Sequence, residues 1–180
     1  MDQQNAISAE EKTSILVAEY AALRDEILKR VEIRFQLTSL TIIIAGTLIT
    51  AGLQKDMPAS VILVYPILCV FLASSWVHHG TGLMRIGVYI RECHETRLDG
   101  SMWESYQKVH LHKTKFPGLL NLVASGGIFL STQAIAVILA LFKLSFTPIE
   151  MILLVGDLVA MATTFLLLQH YFKVRKSVEN

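Results

Sequence analysis

The chain has 180 residues, of which 53% are hydrophobic and only 17% are charged, and its mean hydropathy is +0.50. A typical soluble domain is about 25% charged. The composition therefore argues against a soluble enzyme or a disordered tail. The net charge of +1 provides no field that would attract a nucleic acid. An integral membrane protein is the class that fits.

Residues 1–36 predict a cytoplasmic amphipathic helix. Ser8 and Glu11 have the spacing of a capping box at a helix start. An apolar stripe with helical spacing follows: Leu16, Tyr20, Leu23, Ile27 and Val31. No glycine or proline separates this helix from the next apolar run, so we expect it to continue into the membrane. The stripe either binds a partner protein or packs on the chain's own middle loop.

Four apolar runs are long enough to cross a bilayer, whose hydrocarbon core needs about 20 helical residues. We place transmembrane helices at 37–53, 58–77, 119–142 and 148–171. Helices on the surface of a soluble protein would show polar faces, which these four largely lack. The predicted fold is all-α: a polytopic membrane protein with four transmembrane helices in an antiparallel bundle.

The middle loop, 78–118, predicts further short helices. Gly80 and Gly82 suggest a break after the second span. Two helical stretches then follow, at 83–98 and 101–112. With the N-terminal helix they would form a small helical cytoplasmic cap under the bundle.

The distribution of Lys and Arg predicts the orientation. In a four-span arrangement 14 of the 16 basic residues lie on one side, in segment 1–36, in the middle loop and in the tail 172–180. The two loops on the other side carry one lysine each, Lys55 and Lys143. By the positive-inside rule both termini and the middle loop are cytoplasmic. The expected location is therefore a membrane, crossed several times.

Asp157 is the strongest single signal, because an ionisable residue within a span costs about 2.5–3.5 kcal/mol on insertion scales. Antiparallel spans three and four would bring Gln133 to the same depth, roughly 13 Å into the membrane. Thr132 and Ser131 are adjacent in sequence. These four residues predict an intramembrane polar site for ion passage, proton transfer or switching. The alternative is a structural hydrogen bond from a neutral Asp157 to Gln133 or to a threonine hydroxyl.

Small residues at four-residue spacing predict close helix packing in the same two spans. Span four has Gly156, Ala160 and Thr164, and span three has Gly127 followed by Ser131.

Six histidines lie at or below the predicted cytoplasmic interface, and four of them are weak candidates for a metal site: His78, His79, His110 and His112. No CxxC or HExxH motif accompanies them. No nucleotide-binding, serine-hydrolase or paired-carboxylate motif is present either. The sequence therefore predicts no catalytic residue, no metal and no cofactor, and hence a protein that is not an enzyme.

Several segments resemble small bacterial four-span integral membrane proteins of unassigned function. They are the stretch from Glu19 to Arg34, the pair Tyr65 and Pro66, the segment from Ile86 to Arg91, and the pair Trp103 and Glu104. The resemblance implies the four-span topology and a bacterial inner-membrane location. It implies no functional residue.

Three functions follow as hypotheses. The first is a non-enzymatic homo-oligomer that forms or gates a membrane pathway, or that acts as a membrane effector of a cytoplasmic sensor. The second is an anchor or scaffold that binds a cytoplasmic protein through the N-terminal helix and the middle loop. The third, less favoured, is a metal or haem protein that uses the histidines. The lipid bilayer is a partner in each case, and no nucleic acid is expected.

Overall fold

A computed structural model describes residues 9–94 and 126–179, and every regular element in these residues is helical. Helix α1 spans Ala9–Gly52 and helix α2 spans Ser60–Tyr89. A π-helical turn, Ile90–His94, extends α2. Helix α3 spans Ile128–Leu141 and helix α4 spans Pro148–Glu179. The prediction of an all-α protein is confirmed for the described residues.

Three of the helical segments are long and apolar enough to cross a membrane: Glu10–Gly52, Ser60–His94 and Pro148–Ser177. Helix α3 is apolar but has only 14 residues. At 1.5 Å per residue it covers about 21 Å, less than the hydrocarbon core of a bilayer. Residues 119–125 of the predicted third span lie outside the described residues, as do residues 95–112 of the predicted cap.

Helix α1 is a single unbroken helix of 44 residues, about 66 Å long. The absence of glycine and proline before the first span is the reason, because nothing interrupts its backbone hydrogen bonds. The side chains of its N-terminal stripe, from Leu16 to Val31, are half-buried. The helix packs mainly on α2 and also touches the π-helical turn.

Helix α2 is the core of the fold and contacts the other three helices. Buried side chains recur along it at helical spacing: Ile62, Leu63, Tyr65, Pro66, Cys69, Ala73, Trp76 and Val77. The predicted break at Gly80 and Gly82 is wrong, since α2 continues without interruption to Tyr89. Gly80 instead permits close packing, because a Cβ atom there would lie 2.6 Å from the Tyr171 ring of α4.

Lys143 links the connection between α1 and α2 to the connection between α3 and α4. Its Nζ donates hydrogen bonds to the carbonyl oxygens of Gly52 and Met57, both at 2.7 Å, and to that of Gln54. The carbonyl oxygens at a helix C-terminus have no partner within the helix and carry partial negative charge. One ammonium group therefore caps α1 and ties its connection to the end of α3.

Helix α4 begins with a reciprocal cap. The backbone N–H of Glu150 donates to the Thr147 hydroxyl at 3.4 Å, and the buried Glu150 carboxylate accepts the N–H groups of Ser145 and Thr147. Pro148 occupies the first helical position, where its missing N–H is not needed. This cap sets the start of α4 and with it the register of its buried face.

One face of α4 is buried, at a spacing of three or four residues: Asp157, Ala160, Thr164, Leu168 and Tyr171. Two of the predicted small packing residues, Ala160 and Thr164, lie on this face, and Gly156 lies beside it. A Cβ atom at Gly156 would be 3.5 Å from the Ile67 side chain of α2. Gly127, just before α3, is half-buried.

Candidate intramembrane polar site

Gln133 connects three helices through its side-chain amide. It is completely buried, and its Nε2 donates to the carbonyl oxygen of Pro66 at 2.9 Å and to the Thr164 hydroxyl at 3.0 Å. The Thr164 hydroxyl in turn donates to the carbonyl of Ala160. The amide oxygen of Gln133 is buried and has no hydrogen-bond partner among the described residues. An acceptor therefore remains unused at the centre of the bundle.

Thr132 lies beside this amide and contacts α2. It accepts a hydrogen bond of 2.6 Å from the hydroxyl of the buried Tyr65, and its own hydroxyl donates to the carbonyl of Ile128. The Tyr65 hydroxyl also lies 3.5 Å from the thiol of Cys69. The hydroxyl groups of Tyr65 and Thr132 both have partners. Because the bond between them joins α2 to α3, it positions the two helices against each other.

Asp157 is completely buried on α4, at 0% exposure. Neither carboxyl oxygen has a hydrogen-bond partner within residues 9–94 and 126–179. No cation forms an ion pair with it in that part of the chain. Burying a carboxyl group without any partner costs free energy, and most buried polar groups in proteins are paired.

Asp157 and Gln133 do not form the pair that equal depth would favour. Gln133 bonds to Thr164, which is two helical turns beyond Asp157 on α4. The two levels are therefore about 10 Å apart along the axis of α4. Ser131 is exposed and donates only to the carbonyl of Ile128. The four predicted residues therefore do not form one site. Asp157 lies at one level of the bundle, Gln133 and Thr132 lie at another, and Ser131 is exposed.

Sequence reasoning missed two members of this group. The sequence predicts no polar contact for either residue: Tyr65 contributes only to the resemblance, together with Pro66, and Thr164 only to the predicted close packing of helices. A tyrosine and a proline inside an apolar run are an available signal, since a buried hydroxyl needs a partner. The proline also leaves the carbonyl of Ile62, one turn earlier, without its usual N–H donor, whereas the carbonyl that Gln133 binds is that of Pro66 itself.

Among the histidines that the structure describes, none belongs to a metal-binding group. The rings of His78 and His79 lie 5.7 Å apart, and no cluster of three potential ligands occurs within the described residues. His110 and His112 lie outside those residues. Cys69 and Cys93 are both free thiols.

The N-terminal part of α1 contacts the end of α2 through polar groups. The hydroxyl of Tyr89 donates to the Glu19 carboxylate at 2.7 Å, and the buried His94 ring lies 3.6 Å from the same carboxylate. The ring of Tyr20, a member of the predicted stripe, is 5.9 Å from His94. Part of the stripe therefore packs within the chain.

Comparison of the chain with known protein families, with curated proteins and with solved structures finds no match. The function is therefore inferred from the site itself.

Proposed function

We propose that this protein is an integral membrane protein that crosses the bacterial inner membrane four times as an antiparallel bundle, with both termini cytoplasmic. Its function is to form or gate a membrane pathway for protons or small cations, as a non-enzymatic oligomer. Three helical segments of membrane-crossing length and the apolar α3 support the span count. The lysine bridge between the two short connections supports the antiparallel arrangement.

The observation that carries this proposal is the buried carboxyl group of Asp157, which has no hydrogen-bond partner within residues 9–94 and 126–179. A structural aspartate inside an apolar bundle would be expected to use its oxygens in hydrogen bonds, because each unpaired group costs stability. Departures from this rule concentrate at functional sites. A carboxyl group in such surroundings can exchange a proton or accept a cation that enters the bundle.

The location of Asp157 favours a site inside each subunit. Its side chain is covered by the subunit's own helices, so a second copy is not needed to bury it. A single four-helix bundle fills its own centre and leaves no open pore. We therefore propose that the described conformation is the closed one. In the proposed homo-oligomer, the copies stabilise an open arrangement of the same helices.

The test is the membrane potential of cells that express wild-type protein, Asp157→Asn or Asp56→Asn at matched membrane abundance. Asp56 is the control because it is an exposed carboxylate in the short α1–α2 connection. We expect the wild type and the control to depolarise the membrane, and Asp157→Asn to leave it polarised. Equal depolarisation by all three proteins would contradict a pathway through Asp157.

The alternative function is a scaffold for a cytoplasmic protein. It is supported by the N-terminal part of α1, which extends over almost 30 residues before the predicted first span begins. Besides its half-buried stripe, this part exposes Ile15, Val17 and Leu28. Asp157→Asn separates the two functions, because a scaffold should tolerate it. Substitution of Val17 and Leu28 by serine should then abolish capture of the partner.

A further inference from the structure

Arg34 is held against a pair of buried aromatic rings where α1, α2 and α4 meet. Its guanidinium carbon lies 3.8 Å from the centre of the Trp76 ring and 5.6 Å from that of Tyr171. The two rings pack edge to face at 5.3 Å, and both residues are less than 10% exposed. These contacts order the guanidinium group before any ligand is present.

The stacked arginine has no acidic partner in the part of the chain that the structure describes. No carboxylate within residues 9–94 and 126–179 forms an ion pair with Arg34, and its buried Nε has no hydrogen-bond partner there. Stacking uses the face of a guanidinium group, and Arg34 also has a side-chain hydrogen-bonding interaction with Tyr171. Its remaining in-plane N–H groups are able to bind a planar or tetrahedral anion. Because Arg34 is only partly buried, an anion at the surface can reach it.

Arg30 and His79 lie beside this position. Arg30 lies one turn earlier on α1, against Gly82 of α2, and is paired with Glu26 at 2.8 Å. The charges of Arg30 and Arg34 both act on the half-buried His79 ring, and Arg175 acts on Arg34. The buried Nδ1 of His79 has no hydrogen-bond partner among the described residues. Arg30 is shared with Glu26, so the charge that favours an anion at this position is mainly that of Arg34.

The depth of this cluster suggests which anion. Arg34 precedes the first predicted span, Trp76 ends the second and Tyr171 ends the fourth, all on the predicted cytoplasmic side. Tryptophan and tyrosine are enriched at the level of lipid headgroups. Basic pockets between helices on the cytoplasmic side bind anionic headgroups.

We propose that Arg34, Arg30 and His79 form a binding site for a phosphate group at the cytoplasmic surface of the membrane, occupied by an anionic phospholipid. This inference rests on the proposed membrane placement but not on the pathway through Asp157. It assigns the aromatic pair a positioning role, in which Trp76 and Tyr171 hold Arg34 for the ligand.

The test is native mass spectrometry of the detergent-purified full-length protein with added phosphatidylglycerol or phosphatidylcholine. We expect the wild type to retain phosphatidylglycerol preferentially and Arg34→Gln to bind it about tenfold more weakly, as expected for the loss of one charged hydrogen-bonding group. Lys12→Gln is the control, because Lys12 is an exposed cation near the start of the same helix. Its affinity should be unchanged.

Two further arms make the result decisive. Arg30→Gln leaves the aromatic stack intact and should also weaken phosphatidylglycerol binding, which guards against misfolding of Arg34→Gln. Competition by inorganic phosphate would identify a free phosphate ion as the occupant and overturn the lipid assignment. Equal retention of phosphatidylglycerol by the wild type and both arginine variants would overturn the site. Membrane placement is measured separately, by fractionation of the cells that express the protein. Its failure is thereby distinguished from failure of the proposed lipid site.

Discussion

Gln133 and Pro66 are joined by a hydrogen bond of 2.9 Å, from the amide Nε2 on α3 to the backbone carbonyl on α2. Proline has no N–H and weakens a helix where it occurs. The carbonyl that the proline leaves without a donor is that of Ile62, one turn earlier, so the glutamine ties α3 to α2 beside the weakened turn. Through the Thr164 hydroxyl it attaches the same point to α4. Gln133 thus uses its buried amide to join helices, whereas the buried carboxyl group of Asp157 has no partner among the described residues.

Gln133→Leu should destabilise the protein by about 0.5–2 kcal/mol, because interhelical hydrogen bonds within membranes are worth this much. The free energy of unfolding in mixed detergent micelles is the measurement. Ser131→Ala is the control, since Ser131 is exposed and bonds only within its own helix. If the two variants lose equal stability, Gln133 does not brace α2.

Asp157→Leu should stabilise the protein, by about 1–3 kcal/mol, because it removes a buried carboxyl group that has no partner within the described residues. The same variant should lose the depolarisation proposed for the wild type. Gain of stability with loss of activity is the pattern of a residue kept for function. A clear loss of stability would instead show that Asp157 makes a structural hydrogen bond.

Lys143→Met should cost about 1–3 kcal/mol, since one charged group serves three carbonyl oxygens. Hydrogen exchange should accelerate in residues 52–57, where those carbonyls lie. Lys55→Met, a change of the exposed lysine in that connection, should leave exchange and stability nearly unchanged. Similar exchange in the two variants would argue against the lysine bridge.

Gly80→Ala and Gly46→Ala should have opposite effects. A Cβ atom at Gly80 would crowd the Tyr171 ring at 2.6 Å, and such overpacking costs about 1–3 kcal/mol. A Cβ atom at Gly46 meets nothing within 4 Å, so alanine there should gain up to about 1 kcal/mol of helix stability. Thermal unfolding midpoints measured side by side test the contrast. Stabilisation by both substitutions would mean that α2 and α4 do not pack closely at Gly80.

Much of the helical architecture was predictable from the sequence because its causes are local. Long apolar runs predict α1, α2 and α4, and the missing glycine or proline before the first span explains why α1 is continuous. The same local reasoning was wrong at Gly80, because a glycine considered without its tertiary contacts predicts a helix break. In the structure it provides room for Tyr171.

The composition and the spacing of residues determined that this chain is helical, apolar and suited to a membrane, and they identified Asp157 as unusual. Only the tertiary structure decided that Gln133 bonds to Pro66 and Thr164 and not to Asp157. It also decided that Arg34 rests on Trp76. The physical reason is that periodicity defines the faces of a helix, whereas the rotation and axial shift of each helix against its neighbours depend on the packing of all of them together.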